Sequence, residues 1–355
     1  MRRVVAQARL AAAAAVVSRI APLRSAADAL TSEPILEDAR VGEVPCLLAR
    51  PAAAARRPAI VFANGVTARG RDHPVIVRLA YALARTGHLV LVPDPPGLSV
   101  GEIGDDTVAG LVSVALAAAG RDDSRNGRVG LLGVSVGASL ALLAAADERL
   151  AGRVSVVAGI APYTDLSRVV KLATTGHYPG RDGDVSYPTP PFLLLVVARS
   201  LLLGLPSAAE RARLRAILAP VDVDDPDPLA GLRAIPADSL EPGGRALVDL
   251  LLNRDRTHFP VLYERVPAPV RDGIGRLSPI ECAERLRAPV EIATAPTDKY
   301  FPLAESEELA DAAGGVRITV TGTLAHAIPD LSLATLAELL RLDGFGVRVL
   351  EKAWR

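Results

Sequence analysis

The residues best suited to chemistry lie in the segment Gly133-Val134-Ser135-Val136-Gly137. A G-x-S-x-G segment makes a turn so tight that only small residues fit two positions either side of the serine, whose hydroxyl is lifted clear of the backbone. Such a hydroxyl becomes a nucleophile when a base takes its proton and an acid orients that base. Five histidines are available. His326, in Thr323-Leu324-Ala325-His326-Ala327-Ile328-Pro329, is both C-terminal to the serine and at the exit of a core strand. His73 lies in an early loop, His88 leads into a strand, and His177 and His258 fall in the middle of the chain. For the acid, Asp298 in Ala295-Pro296-Thr297-Asp298-Lys299-Tyr300 is favoured over Asp165 in Ala161-Pro162-Tyr163-Thr164-Asp165. Asp298 gives the chain order serine, acid, histidine, with the groups at the nearest strand ends. Its simpler roles would be capping a helix or pairing with Lys299.

Acyl chemistry also needs two backbone N–H groups to hold an oxyanion. Val136, next after the nucleophile, supplies one. The other is expected from the loop Asn64-Gly65-Val66-Thr67, where Gly65 lets the backbone turn inward and Val66 N–H is the donor. An ordinary Asn-Gly turn is the plainer reading of that loop.

These groups need a scaffold that brings strand ends together. Short β-branched runs at 44–49, 59–63, 89–93, 128–132, 154–160, 290–293 and 316–320 read as strands. Ala/Leu-rich stretches at 75–85, 107–119, 138–146, 304–312 and 331–342 read as helices. The alternation predicts an α/β fold, a mainly parallel central sheet flanked by helices. It breaks between about Pro162 and Pro279, where prolines, the apolar run 192–205 and the acidic 221–228 loop read as a mostly helical cap. Residues 192–205 are interrupted by Arg199 and too short to span a bilayer. They are expected both as a buried helix and as an apolar wall for the substrate. The organisation expected is a helical extension over 1–40, a core over 41–162 and 279–355, and a cap over 163–278.

The 355 residues are 50% hydrophobic and only 3% aromatic, with mean hydropathy +0.29, so a sizeable core can form. Forty basic and forty acidic residues cancel, which leaves no electrostatic footprint for nucleic acid. Cys46 and Cys282 are far apart and lack zinc-site spacing; two unrelated thiols in a reducing compartment are expected, and with them a cytoplasmic location. Residues 1–27 carry five arginines and no acid around an uncharged stretch too short for a secretory signal or a membrane span. They read as an Ala-rich helix packed on the body or, less favoured, as a peripheral contact with a membrane surface. The oligomeric state is not legible.

With elbow, acid, histidine and an intervening cap in place, the chain resembles the α/β-hydrolase superfamily over about residues 44–345. The stretch from Arg71-Asp72-His73 to Asp94-Pro95-Pro96-Gly97 is similar to that family's helix, strand and Asp-x-x-Gly loop. Asn64-Gly65 departs from the His-Gly many members carry, and leaves the backbone donor of the hole in place. The resemblance implies a cofactor-independent serine hydrolase acting on an apolar small-molecule ester, lactone or thioester, with no metal. An acyltransferase or C–C hydrolase with the same triad, or a non-catalytic membrane-apposed scaffold, are the alternatives.

Overall fold

The computed structural model describes residues 7, 8, 10, 11, 33–53, 55–180, 183–322, 324, 325, 328, 329 and 336–354. Its strands are β1 (Pro34–Val41), β2 (Val44–Pro51), β3 (Arg57–Ala63), β4 (Leu89–Pro93), β5 (Ser124–Val134) and β6 (Val154–Ile160). A small hairpin, β7 (His177–Gly180) with β8 (Gly183–Ser186), comes next, then β9 (Val290–Thr294), β10 (Val316–Val320), and the short antiparallel pair β11 (Leu324–Ala325) and β12 (Ile328–Pro329). Eight strands form one sheet in the order β1-β2-β4-β3-β5-β6-β9-β10. From β4 to β10 all neighbours run parallel; β1 and β2 are antiparallel additions at one edge.

Helices α1 (Pro74–Arg85), α2 (Asp105–Gly120) and α3 (Val136–Ala145) connect the first parallel strands. All ten residues of α3 are buried, because its Val/Ala/Leu surface lies between the sheet and its neighbours. Between β6 and β9 come α4 (Leu166–Thr175), α5 (Pro191–Leu202), α6 (Ala208–Leu218), α7 (Ala230–Arg233), α8 (Pro242–Leu252), α9 (Phe259–Arg265) and α10 (Ala268–Arg276). Helix α11 (Leu303–Ala312) joins β9 to β10, and α12 (Leu336–Ala353) closes the chain. The helices between β6 and β9 share one apolar cluster with the sheet: Leu194, Val197, Leu201 and Leu247 belong with Leu91, Leu131 and Leu140. Arg199, the charge inside the apolar run, is explained by its donations to the carbonyls of Val100, Leu218 and Val221, which tie α5 to two loops.

Sheet register positions the site. Ala63 pairs with Gly133, Val134 with Ile160, and Ile160 with Ala293. The carboxyl ends of β3, β5, β6 and β9 therefore stop at one level. Parallel strands deliver their following loops to a common edge, which is where open α/β sheets place ligands.

Two expectations are corrected. Residues 34–40, expected as the end of a helical extension, form the edge strand β1, paired with β2 through a two-residue turn at Gly42-Glu43 with Gly42 at φ +55°. That turn favours a hairpin because its positive φ matches the strand twist. The last helix extends well past 342, to Ala353, with Phe345, Val347, Val349 and Leu350 buried. Gly344 and Gly346 lie inside this helix, where tertiary packing offsets their low helix propensity. Leu10 packs with Val347 and Leu350 of α12, and Gln7 donates to Asp343 over 2.6 Å. Most of residues 1–27, with the membrane-contact expectation, lies outside the described residues. Among the described residues no helix is long and apolar enough to cross a membrane. Cys46, in β2, and Cys282, in a 3-10 stretch before β9, are both free and buried.

Candidate active site

Ser135 stands between the last residue of β5 and the first of α3, at φ +55° and ψ −130°. That is an uncommon conformation for a residue with a side chain, and such strain clusters at functional sites. Its neighbours explain how it is held. A Cβ on Gly133 would run into the backbone of Gly137, and one on Gly137 into the carbonyl oxygens of Ala63 and Asn64. Both glycines are required by close approach of backbones, as the motif predicts. Ser135 N–H donates to Ile160 O over 2.8 Å, and Ser139 Oγ donates to Tyr163 O over 2.7 Å, so the turn is pinned to the chain leaving β6.

The loop after β3 lies against this turn. The Cβ position of Gly65 is 3.4 Å from Ser135 Cβ and 3.9 Å from Ser135 Oγ. Gly65, Val66, Ser135 and Val136 line one cavity, so the structure brings together both expected oxyanion donors and the nucleophile. Val136 opens α3, and the first amides of a helix have no partner within it, which leaves them facing incoming charge. Asp94, just past β4, anchors the loop further on. Its carboxylate accepts from Arg71 N–H at 2.8 Å and from the Arg71 guanidinium at 3.0 Å. Burial raises the Asp94 carboxyl pKa, and Arg71 offsets part of that rise.

Asp298 is buried in the loop between β9 and α11. Its Oδ1 accepts from the N–H groups of Tyr300, at 2.8 Å, and Phe301, at 3.1 Å, and the side chains of both residues line the Ser135 cavity. Tyr187 O–H, from the stretch following β8, donates to the Asp298 carbonyl oxygen. Lys299 Nζ lies over the Tyr300 ring, 5.0 Å from its centre. Asp165 is engaged otherwise: it caps α4, accepting from Ser167 N–H at 2.8 Å, and pairs with Arg168 at 3.1 Å. His326 lies outside the described residues. The chain that leads to it exits β10 beside the acid loop, with Thr321 N–H donating to Thr294 O at 2.9 Å.

The cavity around Ser135 has a volume of about 250 Å³ and mostly apolar walls: Ile76 and Leu79 from α1, Phe192, Leu193 and Val196 from α5. The apolar run at 192–205 thus forms both a buried helix and a wall, as expected. A second cavity of about 540 Å³ shares Val66, Thr67, His73, Phe192 and Tyr300 with the first and carries Arg69, Asp224, Asp225 and Lys299. Sequence reading did not assign His73 to the site. It caps α1, its Nδ1 accepting from Val75 N–H at 3.3 Å, and borders both cavities. Nor did it find Glu305, buried on α11, which accepts from Thr164 and Asp165 N–H and from Tyr178 O–H. Burial raises its pKa. Glu305 ties the acid-loop helix to the start of the β6–β9 segment, and nothing local in its acidic helix sequence marks it. Among the described residues no group of histidine, cysteine or acidic side chains could hold a metal ion.

Residues 60–313 match the model of the alpha/beta hydrolase family, and the chain belongs to that family. A hydrolase is thus the class that fold and family define. A hyperthermophilic esterase from the archaeon Pyrobaculum calidifontis is similar in fold, with 15% identity over 100% of this chain and 93% of its own, TM-score 0.51. So is a 2,6-dihydroxy-pseudo-oxynicotine hydrolase, with 14% identity over 93% of this chain and 72% of its own, TM-score 0.50. An acylaminoacyl peptidase from Pyrococcus horikoshii matches at 12% identity and TM-score 0.47 over 84% of this chain, which spans 38% of that protein. No curated protein matches the sequence.

Proposed function

We propose that the protein is a serine hydrolase that cleaves a carboxylic ester, lactone or thioester bearing an apolar group, through an acyl-enzyme. His326 takes the Ser135 proton as Oγ attacks the carbonyl carbon. The amides of Val136 and Val66 hold the oxyanion, with Gly65 keeping that space open. Collapse expels the alcohol or thiol, which receives the proton from His326. Water then attacks the acyl-enzyme by the same route and releases the acid. Asp298 orients the imidazole and balances its charge. Helices between β6 and β9 serve as the cap, with α5 facing the acyl chain.

The observation that carries this reading is the strained Ser135 at the floor of an apolar cavity, beside the Gly65-Val66 loop. A fluorophosphonate probe tests it. Wild type should be labelled and Ser135→Ala should not, with kcat on p-nitrophenyl esters falling by at least about 10⁴-fold. Lengthening the acyl chain should raise kcat/KM about fourfold per methylene until the cavity is filled, at about 0.8 kcal/mol each. An unlabelled wild type would sink the reading.

A further inference from the structure

Asn64 is fully buried, and its side chain makes an unusual choice of partners. Its Nδ2 donates to the carbonyl oxygen of the next residue, Gly65, over 2.8 Å. Its Oδ1 is buried with no hydrogen-bond partner among the described residues. Leaving a buried acceptor unmade costs about 1–3 kcal/mol, so such a group calls for an explanation. Turning the amide over would set Oδ1 against the Gly65 carbonyl, acceptor to acceptor. The bond to Gly65 therefore fixes the side chain, and the side chain in turn fixes the peptide plane between Gly65 and Val66.

The two ends of that plane point opposite ways. Among the described residues no peptide bond is cis, and in a trans peptide the N–H lies opposite the C=O. With the Gly65 carbonyl turned to buried Asn64, the Val66 N–H points away from Asn64, and Gly65 and Val66 both border the cavity with Ser135. Gly65 has no side chain to resist rotation of this plane, so an unlocked plane could flip its carbonyl oxygen toward the oxyanion.

We infer that Asn64 is a positioning residue: its side-chain amide locks the Gly65–Val66 peptide with the Val66 N–H aimed at the oxyanion formed on Ser135 attack. The inference rests on the proposed acyl-enzyme chemistry and adds to it the residue that pre-sets one of the two donors.

The test compares wild type with Asn64→Leu, which keeps the side chain's branching and heavy-atom count and removes the donor. With p-nitrophenyl butyrate, kcat should fall about 10- to 100-fold, up to the lower end of the range for outright loss of one oxyanion donor because the amide is misaimed and not removed, while KM stays within about threefold. Affinity for a trifluoromethyl ketone, which forms a tetrahedral oxyanion on the serine, should weaken by the same factor as kcat/KM. A merely structural role would not link those two changes. In the wild type, the Val66 amide proton should move downfield in the NMR spectrum when that adduct forms. A folded Asn64→Leu protein with kcat within twofold of wild type overturns the inference, and so does a loss carried by KM. Should Asn64→Leu not fold, the wild-type spectrum decides, and an unmoved Val66 amide refutes the lock. A wild type that neither hydrolyses the ester nor reacts with fluorophosphonate overturns both readings; an active wild type with an unmoved Val66 amide overturns only this one.

Discussion

Ser135 pays for its exposure with backbone strain of order 1–3 kcal/mol, and the contacts that hold it there are backbone to backbone, through Gly133 and Gly137. This is why the elbow was legible: the demand for absent side chains is itself written in the sequence. Choosing between the acids was harder, because Asp165 and Asp298 both follow core strands. In the structure their carboxylates touch different groups. Asp165 is engaged by its helix cap and Arg168, whereas Asp298 is buried behind two residues that line the cavity. Asp298→Asn should therefore lower kcat by about 10⁴-fold with little change in KM, as loss of the orienting acid does. Asp165→Ala should cost about 1 kcal/mol of stability as a lost cap and leave kcat within about threefold. Steady-state kinetics and urea unfolding of the pair check this; the opposite pattern would exchange the two roles. Glu305 and Tyr187 were not singled out in sequence, since each acts through a partner it meets only after folding, and Asn64 was noted only as part of its loop.

At the scale of elements, the core strands were legible because buried parallel strands are continuous apolar runs bounded by turn residues. The edge strand β1 was not: its exposed face leaves a mixed pattern that does not alternate cleanly. Between β6 and β9 helical content was foreseen but not helix boundaries, because prolines there open helices as often as they end them. A hydrogen bond from the Tyr187 phenol to the Asp298 carbonyl joins this segment to the loop after β9. Burial, and then the charge of Asp298, raise that phenol's pKa to about 12. In the unfolded chain a tyrosine titrates near about 10. The folded state thus holds the proton more tightly, so the contribution is complete below pH about 10 and is lost as pH rises through about 12. The stability difference between wild type and Tyr187→Phe should accordingly shrink from pH 9 to pH 12. Urea midpoints measured across that range test it, and a difference that stays constant would refute the assignment.

The whole molecule is organised around one level of the sheet, where the elbow, the Asn64–Val66 loop and the acid loop meet under α5. Register brings them there, and register follows from which strands neighbour one another, which no local pattern encodes. The chain's only two thiols sit at different places in this architecture: Cys46 is fully buried within the sheet, and Cys282 is buried in the kinked 3-10 stretch Pro279–Arg285 leading into β9. Burial pushes the Cys46 thiol up to about 11, so little reactive thiolate is present at neutral pH while the sheet is closed. Native protein should stay inert to an aromatic disulfide reagent for minutes, then react first at Cys282 and later at Cys46 as urea is added, with the modified peptides identified by mass spectrometry. Simultaneous modification would mean that the run-in to β9 opens only with the sheet. Either way, the two sulfur atoms are chemical clocks for the opening of two regions, one of them the run-in to the strand from which the Asp298 loop departs, and they need no engineered label.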